Sequence, residues 1–239
     1  MSDVDAKIDR FLADLDRVMP GGYAAVLFGS AARGHYIPGW SDINVLLVAD
    51  RLTPADLRQA REALAAWREQ AEALPLLFTL EEWRRSADAY PVELTEMRAG
   101  YRLLRGTDPL EGMTVRPGDL RQALEREFRG KLMRLRQGYA LFEPRSPDLS
   151  EFLRSSASSV LLLCRGLLVV VGEAIPAEPV AVVQAAARRA GFAPEAVEQV
   201  VLHRADERWR GGEDIVLGYL AAVETAARYV DHFQIGART

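Results

Sequence analysis

The chain has 239 residues, 49% of them apolar and 27% charged, with a formal net charge of −4. That length suits one large or two smaller domains, each with a real core, and the composition is that of a folded protein rather than a disordered one. The weak negative charge disfavours a nucleic-acid partner, because nothing advertises a broad basic surface. A single cysteine, Cys164, excludes an internal disulfide and a cysteine-based metal cluster.

Residues 5–18 have the spacing of an amphipathic helix that is acidic rather than signal-like, and Pro20-Gly21-Gly22 predicts a turn. Tyr23 to Phe28, YAAVLF, predicts a short strand ending at Gly29-Ser30, and the small residues beyond predict the first turn of a helix. A strand that feeds a helix N-terminus presents free N–H groups to phosphate oxygens; Gly29 permits the close approach and Ser30 adds a hydroxyl donor. Arg33 stands in the same stretch, placed either to steer a triphosphate or to lie in solvent. His35 and Tyr36 follow in a loop.

Ser41 to Ala49 predicts a second strand. Alternation puts Asp42, Asn44, Leu46 and Val48 on one face and Ile43, Val45 and Leu47 on the other, with Asp42 and Asn44 roughly 7 Å apart. Two carboxylates so spaced would share magnesium between themselves and a nucleotide's phosphates, and here the second position is an amide.

Gly-Ser, eleven residues, then Asp followed by alternating apolar residues resembles the signature of the polymerase-β-like nucleotidyltransferase superfamily, which includes the minimal nucleotidyltransferases and the aminoglycoside adenylyltransferases. The resemblance implies an α/β nucleotidyltransferase domain with a mixed sheet and flanking helices. It implies Mg2+ as cofactor and a nucleoside triphosphate, ATP first, as substrate. Gly29, Ser30, Arg33 and Asn44 are then the nucleotide-binding candidates, and Asp42 with Asn44 the metal ligands. Family members carry an acid at both strand positions, so Asn44 is a departure. The family's third carboxylate, which takes the proton of the attacking hydroxyl, is sought on the next strands. Leu74 to Leu80 has no acid; Pro91 to Glu96 reads as a strand with Glu93 and Thr95 on one face and Glu96 on the other. Glu93 is the candidate base and Glu96 the reserve.

Pro54 to Ala71 predicts one helix between strands, so residues 1–112 form the α/β region. From 113 to 239 only helices are expected: Asp119 to Phe142, Pro147 to Val171, Pro179 to Ala190, Pro194 to Arg204 and Glu213 to Phe233, a helical bundle domain. Cys164 sits in the apolar run 160–171, interrupted by Arg165 and read as too short to span a bilayer. A cytoplasmic protein with no membrane partner is expected.

Arg121, Arg126, Arg129, Lys131, Arg134 and Arg136 crowd one helix, either to hold outer phosphates or to pair with Glu125 and Glu127. Asp206, Glu207, Glu213 and Asp214 suit a cationic acceptor or helix capping. The spacing Arg228 to His232 is too short for the ribonuclease motif of the helical toxins called HEPN.

Three functions follow. One is transfer of a nucleoside monophosphate from Mg-NTP to a hydroxyl of a small molecule or protein. Another is nucleotide binding without turnover, as a pseudoenzyme. The third is a toxin–antitoxin-type interaction module. Homodimerisation is compatible with each.

Overall fold

Strand β1 (Tyr23–Phe28) lies between two antiparallel neighbours, β2 (Asn44–Ala49) and β4 (Tyr101–Arg105), and β2 pairs in parallel with β3 (Leu76–Thr79). The result is a four-stranded mixed sheet in the order β3-β2-β1-β4. The computed structural model describes residues 3–19, 22–71, 73–143 and 145–236. The expected turn at Pro20-Gly21 lies outside the described residues. The chain divides into two units, Met1–Thr114 and Val115–Thr239.

Alternation along the strands sets the faces of the sheet. Tyr23, Ala25 and Leu27 of β1 and Val45, Leu47 and Ala49 of β2 all point one way. There they share a buried cluster with Ile8, Phe11, Leu12 and Leu15 of α1 (Asp3–Val18) and Ala63 and Trp67 of α3 (Arg61–Ala71). The Phe11 and Trp67 rings stack with centroids 4.4 Å apart, adding directional attraction to the burial of apolar area. Tyr23 ties the layers together. Its hydroxyl donates to Asp16 Oδ1 at 2.8 Å and reaches Leu12 O at 3.2 Å, and Arg105 Nη2 lies 2.5 Å from Asp16 Oδ2.

The first unit departs from the sequence expectation in several places. No α-helix follows Gly29; residues 30–34 form a turn, closed by Arg33 N donating to Gly29 O at 3.3 Å and His35 N to Ser30 O at 2.9 Å. Gly34, at φ +77°, adopts the left-handed conformation that ends a helix, so the turn cannot propagate. The helix expected over 54–71 is two, α2 (Pro54–Gln59) and α3, because the chain turns at buried Ala60. The segment 91–96 is no strand but the start of a helix, α5 (Pro91–Ala99). Pro91 occupies its first turn, Gly100 closes it, and Leu94 and Met97 are fully buried, so packing overrides the β-propensity of Val92 and Thr95. The strand β4, whose sequence YRLLR is mostly exposed and carries no alternating pattern, was not expected.

Helix α4 (Leu80–Arg84) begins with a capping box between Thr79 and Glu82, and its Trp83, fully buried, donates Nε1–H to Pro109 O at 2.8 Å.

The second unit holds the five expected helices: α6 (Pro117–Leu141), α7 (Pro147–Val170), α8 (Pro179–Ala190), α9 (Glu195–Leu202) and α10 (Glu213–His232). Proline stands in the first turn of α6, α7 and α8, and Gly191, at φ +78°, ends α8. Contrary to the expectation from residues 160–171, α7 is long and apolar enough to cross a membrane: 24 residues with a mean hydropathy of 1.5 over its best window. That window is 67% buried, and Leu153, Val160, Leu167 and Leu168 pack inside the bundle. Its apolar character is that of a core helix, apolar nearly all round. Cys164 is buried there, and desolvation pushes its thiol up to about 12, against a smaller opposing pull from Arg165.

Candidate active site

The site candidates gather at the end of β1 where the β1–β2 ladder begins. Phe28 pairs with Asn44, so Gly29 leaves the sheet beside the Asn44 side chain. Gly29 is buried at φ +76°, and a β-carbon there would lie 2.9 Å from Asn44 Nδ2. Only glycine suits both the left-handed backbone and the contact. Ser30, half-buried, opens the turn that follows.

Asp42 lies on no strand, contrary to the sequence expectation. The ladder stops at the Phe28–Asn44 pair because β1 has run out, and residues 41–43 lie beyond its end. Asp42 is instead an exposed residue of the connecting loop. On one side the loop is closed by Ser41 N donating to Ile37 O at 2.8 Å and Ile37 N to Ser41 Oγ at 3.1 Å; on the other it is anchored by Ile43, 1% exposed.

Arg33 neither lies in solvent nor projects freely. Its Nη2 is 2.5 Å from Glu96 Oε1 of α5, with the two side chains 15% and 10% exposed. Gly100 makes room for the arginine stem, since a β-carbon there would approach Arg33 Cγ to 2.8 Å. Glu96 is thereby committed to a buried ion pair, which removes it as reserve base. Glu93 is half-buried one turn earlier on the same helix. Helical rather than strand geometry places the two glutamates on neighbouring sides, not on opposite faces.

Among the described residues no three His, Cys, Asp or Glu side chains gather as a metal site. An acid at position 42 and an amide at position 44 offer a magnesium ion one charged and one neutral oxygen. They do not fit two cations bridged by protein carboxylates, because Asn44 brings no charge. Tyr36, half-buried, packs against the apolar core. Two cavities of about 620 and 630 Å³ lie at the other end of the strands. One of about 630 Å³ is lined by Tyr23, Asp50, Arg84, Asp108 and Glu111, far along β1 from Gly29.

In the second unit most of the basic residues of α6 are paired. Arg121 and Arg129 flank Glu125 at 3.2 and 3.1 Å, Arg129 also reaches Asp231 at 2.8 Å, and Arg136 reaches Glu224 at 3.3 Å. Lys131 is half-buried, and desolvation followed by nearby Arg134 lowers its pKa. Glu213 accepts from Tyr139 at 2.8 Å and Asp206 caps Arg208 N at 3.0 Å. These acids hold the bundle's own groups.

Nothing in the sequence points to the Arg33–Glu96 pair: its partners are 63 residues apart, and no local spacing connects them.

A family model described as a nucleotidyltransferase domain matches residues 7–86. No curated protein matches the chain by sequence. Among solved structures the chain is similar to spectinomycin adenyltransferase AAD(9) from Enterococcus faecialis, determined with ATP and spectinomycin, at a TM-score of 0.59 and 14% identity. That match covers 95% of this chain and 98% of the other. At such identity the likeness is one of fold, and it spans the helical half as well as the sheet. Residues 7–86 thus match a nucleotidyltransferase domain, and the chain as a whole shares the fold of a solved adenyltransferase.

Proposed function

We propose that the protein transfers a nucleoside monophosphate from a magnesium-bound triphosphate, ATP first, to a hydroxyl of a small molecule. The observation that carries this is the meeting of Gly29 and Asn44 at the mouth of the β1–β2 ladder, with Asp42 two residues upstream, inside the matched domain. The solved structure it resembles in fold holds ATP and spectinomycin, a small-molecule acceptor.

In this reading the backbone N–H groups of the Gly29-Ser30 turn take the outer phosphate oxygens, and Asp42 with the Asn44 carbonyl would hold the magnesium that accompanies the triphosphate. Bound magnesium would neutralise phosphate charge and polarise the reacting phosphoryl group. The acceptor oxygen attacks the α-phosphorus and forms the new P–O bond. The bond to the β-bridging oxygen breaks, and pyrophosphate leaves with the electron pair. The hydroxyl proton passes to the Glu93 carboxylate, a general-base contribution on the order of 10²–10⁴ in rate.

Asn44 favours a second reading, in which nucleotide binds and no transfer follows, since the amide weakens the hold on metal. Calorimetric titration with a non-hydrolysable ATP analogue, with and without magnesium, tests the site in wild type and Asp42→Ala. Transfer of label from α-labelled ATP to a panel of aminocyclitol and aminoglycoside hydroxyls tests the chemistry. Magnesium-dependent binding lost in Asp42→Ala, with labelled acceptor, supports the transferase. Binding without label on any acceptor supports the nucleotide-binding pseudoenzyme. No binding under any condition turns the function towards a protein-interaction module.

A further inference from the structure

We infer that the Arg33–Glu96 ion pair is a latch that fixes the Gly29-Ser30 turn on α5, with both partners acting as positioning residues. The inference rests on the nucleotidyltransferase reading only for what the turn binds; the latch itself is a property of the fold.

The segment from Gly29 to Ile43 contains no helix or strand. Its first half closes on itself through a long 3.3 Å bond from Arg33 N to Gly29 O and the 2.9 Å bond from His35 N to Ser30 O. Neither bond ties the turn to another element. Arg33 does: its side chain crosses to α5 and meets Glu96 at 2.5 Å, and Gly100 admits its stem. The receiving helix is well anchored, since Leu94 and Met97 are fully buried. Ala31, Ala32 and Tyr36 rest the segment on the apolar core, and the ion pair is the charged contact that joins it to α5, the helix carrying Glu93.

The guanidinium makes this contact under tension of solvation. Arg33 Nε and Nη1 are buried with no hydrogen-bond partner, so the bond from Nη2 to Glu96 is what compensates the cation. Neutralising Glu96 leaves a buried positive charge, which hydrates most readily by carrying residues 29–36 outwards. Loss of an acid on α5 should thus be felt as opening of a turn 60 residues earlier.

Hydrogen exchange by mass spectrometry on the full chain tests this, with wild type, Arg33→Gln, Arg33→Lys, Glu96→Gln and the Arg33→Gln/Glu96→Gln double variant. Amides of residues 29–36 should exchange about tenfold faster in Glu96→Gln, while β1 and β2 keep their protection. The double variant should be no faster than the single ones, and Arg33→Lys should recover part of the loss. Affinity for the magnesium complex of a non-hydrolysable ATP analogue should fall in the same order. Unchanged exchange over 29–36 in Glu96→Gln, or single effects that add in the double variant, overturns the latch. So does an affinity that Glu96→Gln leaves unaltered. A wild type that binds no analogue sinks the nucleotidyltransferase reading instead, and the exchange pattern still decides the latch. Should Glu96→Gln lose protection throughout the first unit, Arg33→Lys decides by the same criteria.

Discussion

The side-chain amide of Asn44 stands 2.9 Å from where a β-carbon on Gly29 would be, across the last pair of the β1–β2 ladder. Backbone conformation and side-chain contact thus impose the same residue at the same point, at the place where a nucleotide's phosphates are proposed to sit.

Gly29→Ala tests that double constraint. The left-handed φ costs about 1 kcal/mol for a residue with a β-carbon, and displacing Asn44 adds about as much again. The expected loss is about 2 kcal/mol in urea unfolding, with at least a tenfold loss of magnesium-dependent ATP-analogue affinity. Gly112→Ala is the control: φ is +74°, but nothing lies within 4 Å. It should cost about 1 kcal/mol and leave affinity unchanged. Equal effects in the two variants would dissociate Asn44 from the site.

Asn44→Asp supplies the charge that the second metal-facing position lacks. A second carboxylate beside Asp42 should strengthen magnesium dependence of analogue binding by about tenfold, roughly 1.4 kcal/mol. If transfer is limited by metal occupancy, label incorporation rises in step. Titration of magnesium at fixed analogue measures the first effect, and an unchanged magnesium requirement would place Asn44 outside the metal's reach.

The second unit should be sensitive to alkali. Tyr219 is fully buried and shares a 2.9 Å hydrogen bond with Ser156; burial raises its pKa above the ordinary value, with the Ser156 bond opposing. The folded state thus holds its proton where the unfolded chain, titrating near 10, has released it. Stability from the neutral phenol is fully present below pH 10 and is lost as pH rises towards the folded value. The Cys164 thiol, pushed up to about 12, acts in the same sense from about pH 9. Urea unfolding between pH 8 and 11 should show a smaller alkaline loss in Tyr219→Phe than in wild type; parallel profiles would contradict the assignment.

Gly166 lies inside α7, where alanine would ordinarily add about 1 kcal/mol of helix propensity. Here a β-carbon would come within 2.6 Å of Leu124 Cδ2, and Leu124, fully buried, would have to shift within the core to admit it. Overpacking of about 1–3 kcal/mol exceeds the gain, so Gly166→Ala is expected to lower the unfolding temperature. A rise would mean that α6 and α7 separate more easily than their packing implies.

Patterns confined to a few residues were legible in the chain. The α6 to α10 helices could be placed because prolines open three of them and apolar positions recur at helical spacing, signals that tertiary contacts reinforce. The β1–β2 pair could be placed because each strand is a short apolar run bounded by glycine or polar residues. Glu93 was assigned to a strand because Val92 and Thr95 favour one; the burial of Leu94 and Met97 and the proline at position 91 favour a helix, and burial is not written in five residues. Asp42 was placed on β2 because alternation continues through Ser41, whereas the ladder ends where its partner β1 ends.

Local pattern in the chain suffices to show that a Gly-Ser turn follows an apolar strand, that an acid and an amide stand a fixed distance downstream, and that a helical bundle follows. All of these are relations between near neighbours, fixed by strand and helix periodicity. Only the tertiary structure decided that Arg33 reaches Glu96, that Asn44 abuts Gly29, and that the apolar α7 is enclosed by other helices. Each joins residues far apart in the chain, and such pairs are chosen by the burial of apolar surface and the compensation of charge away from water.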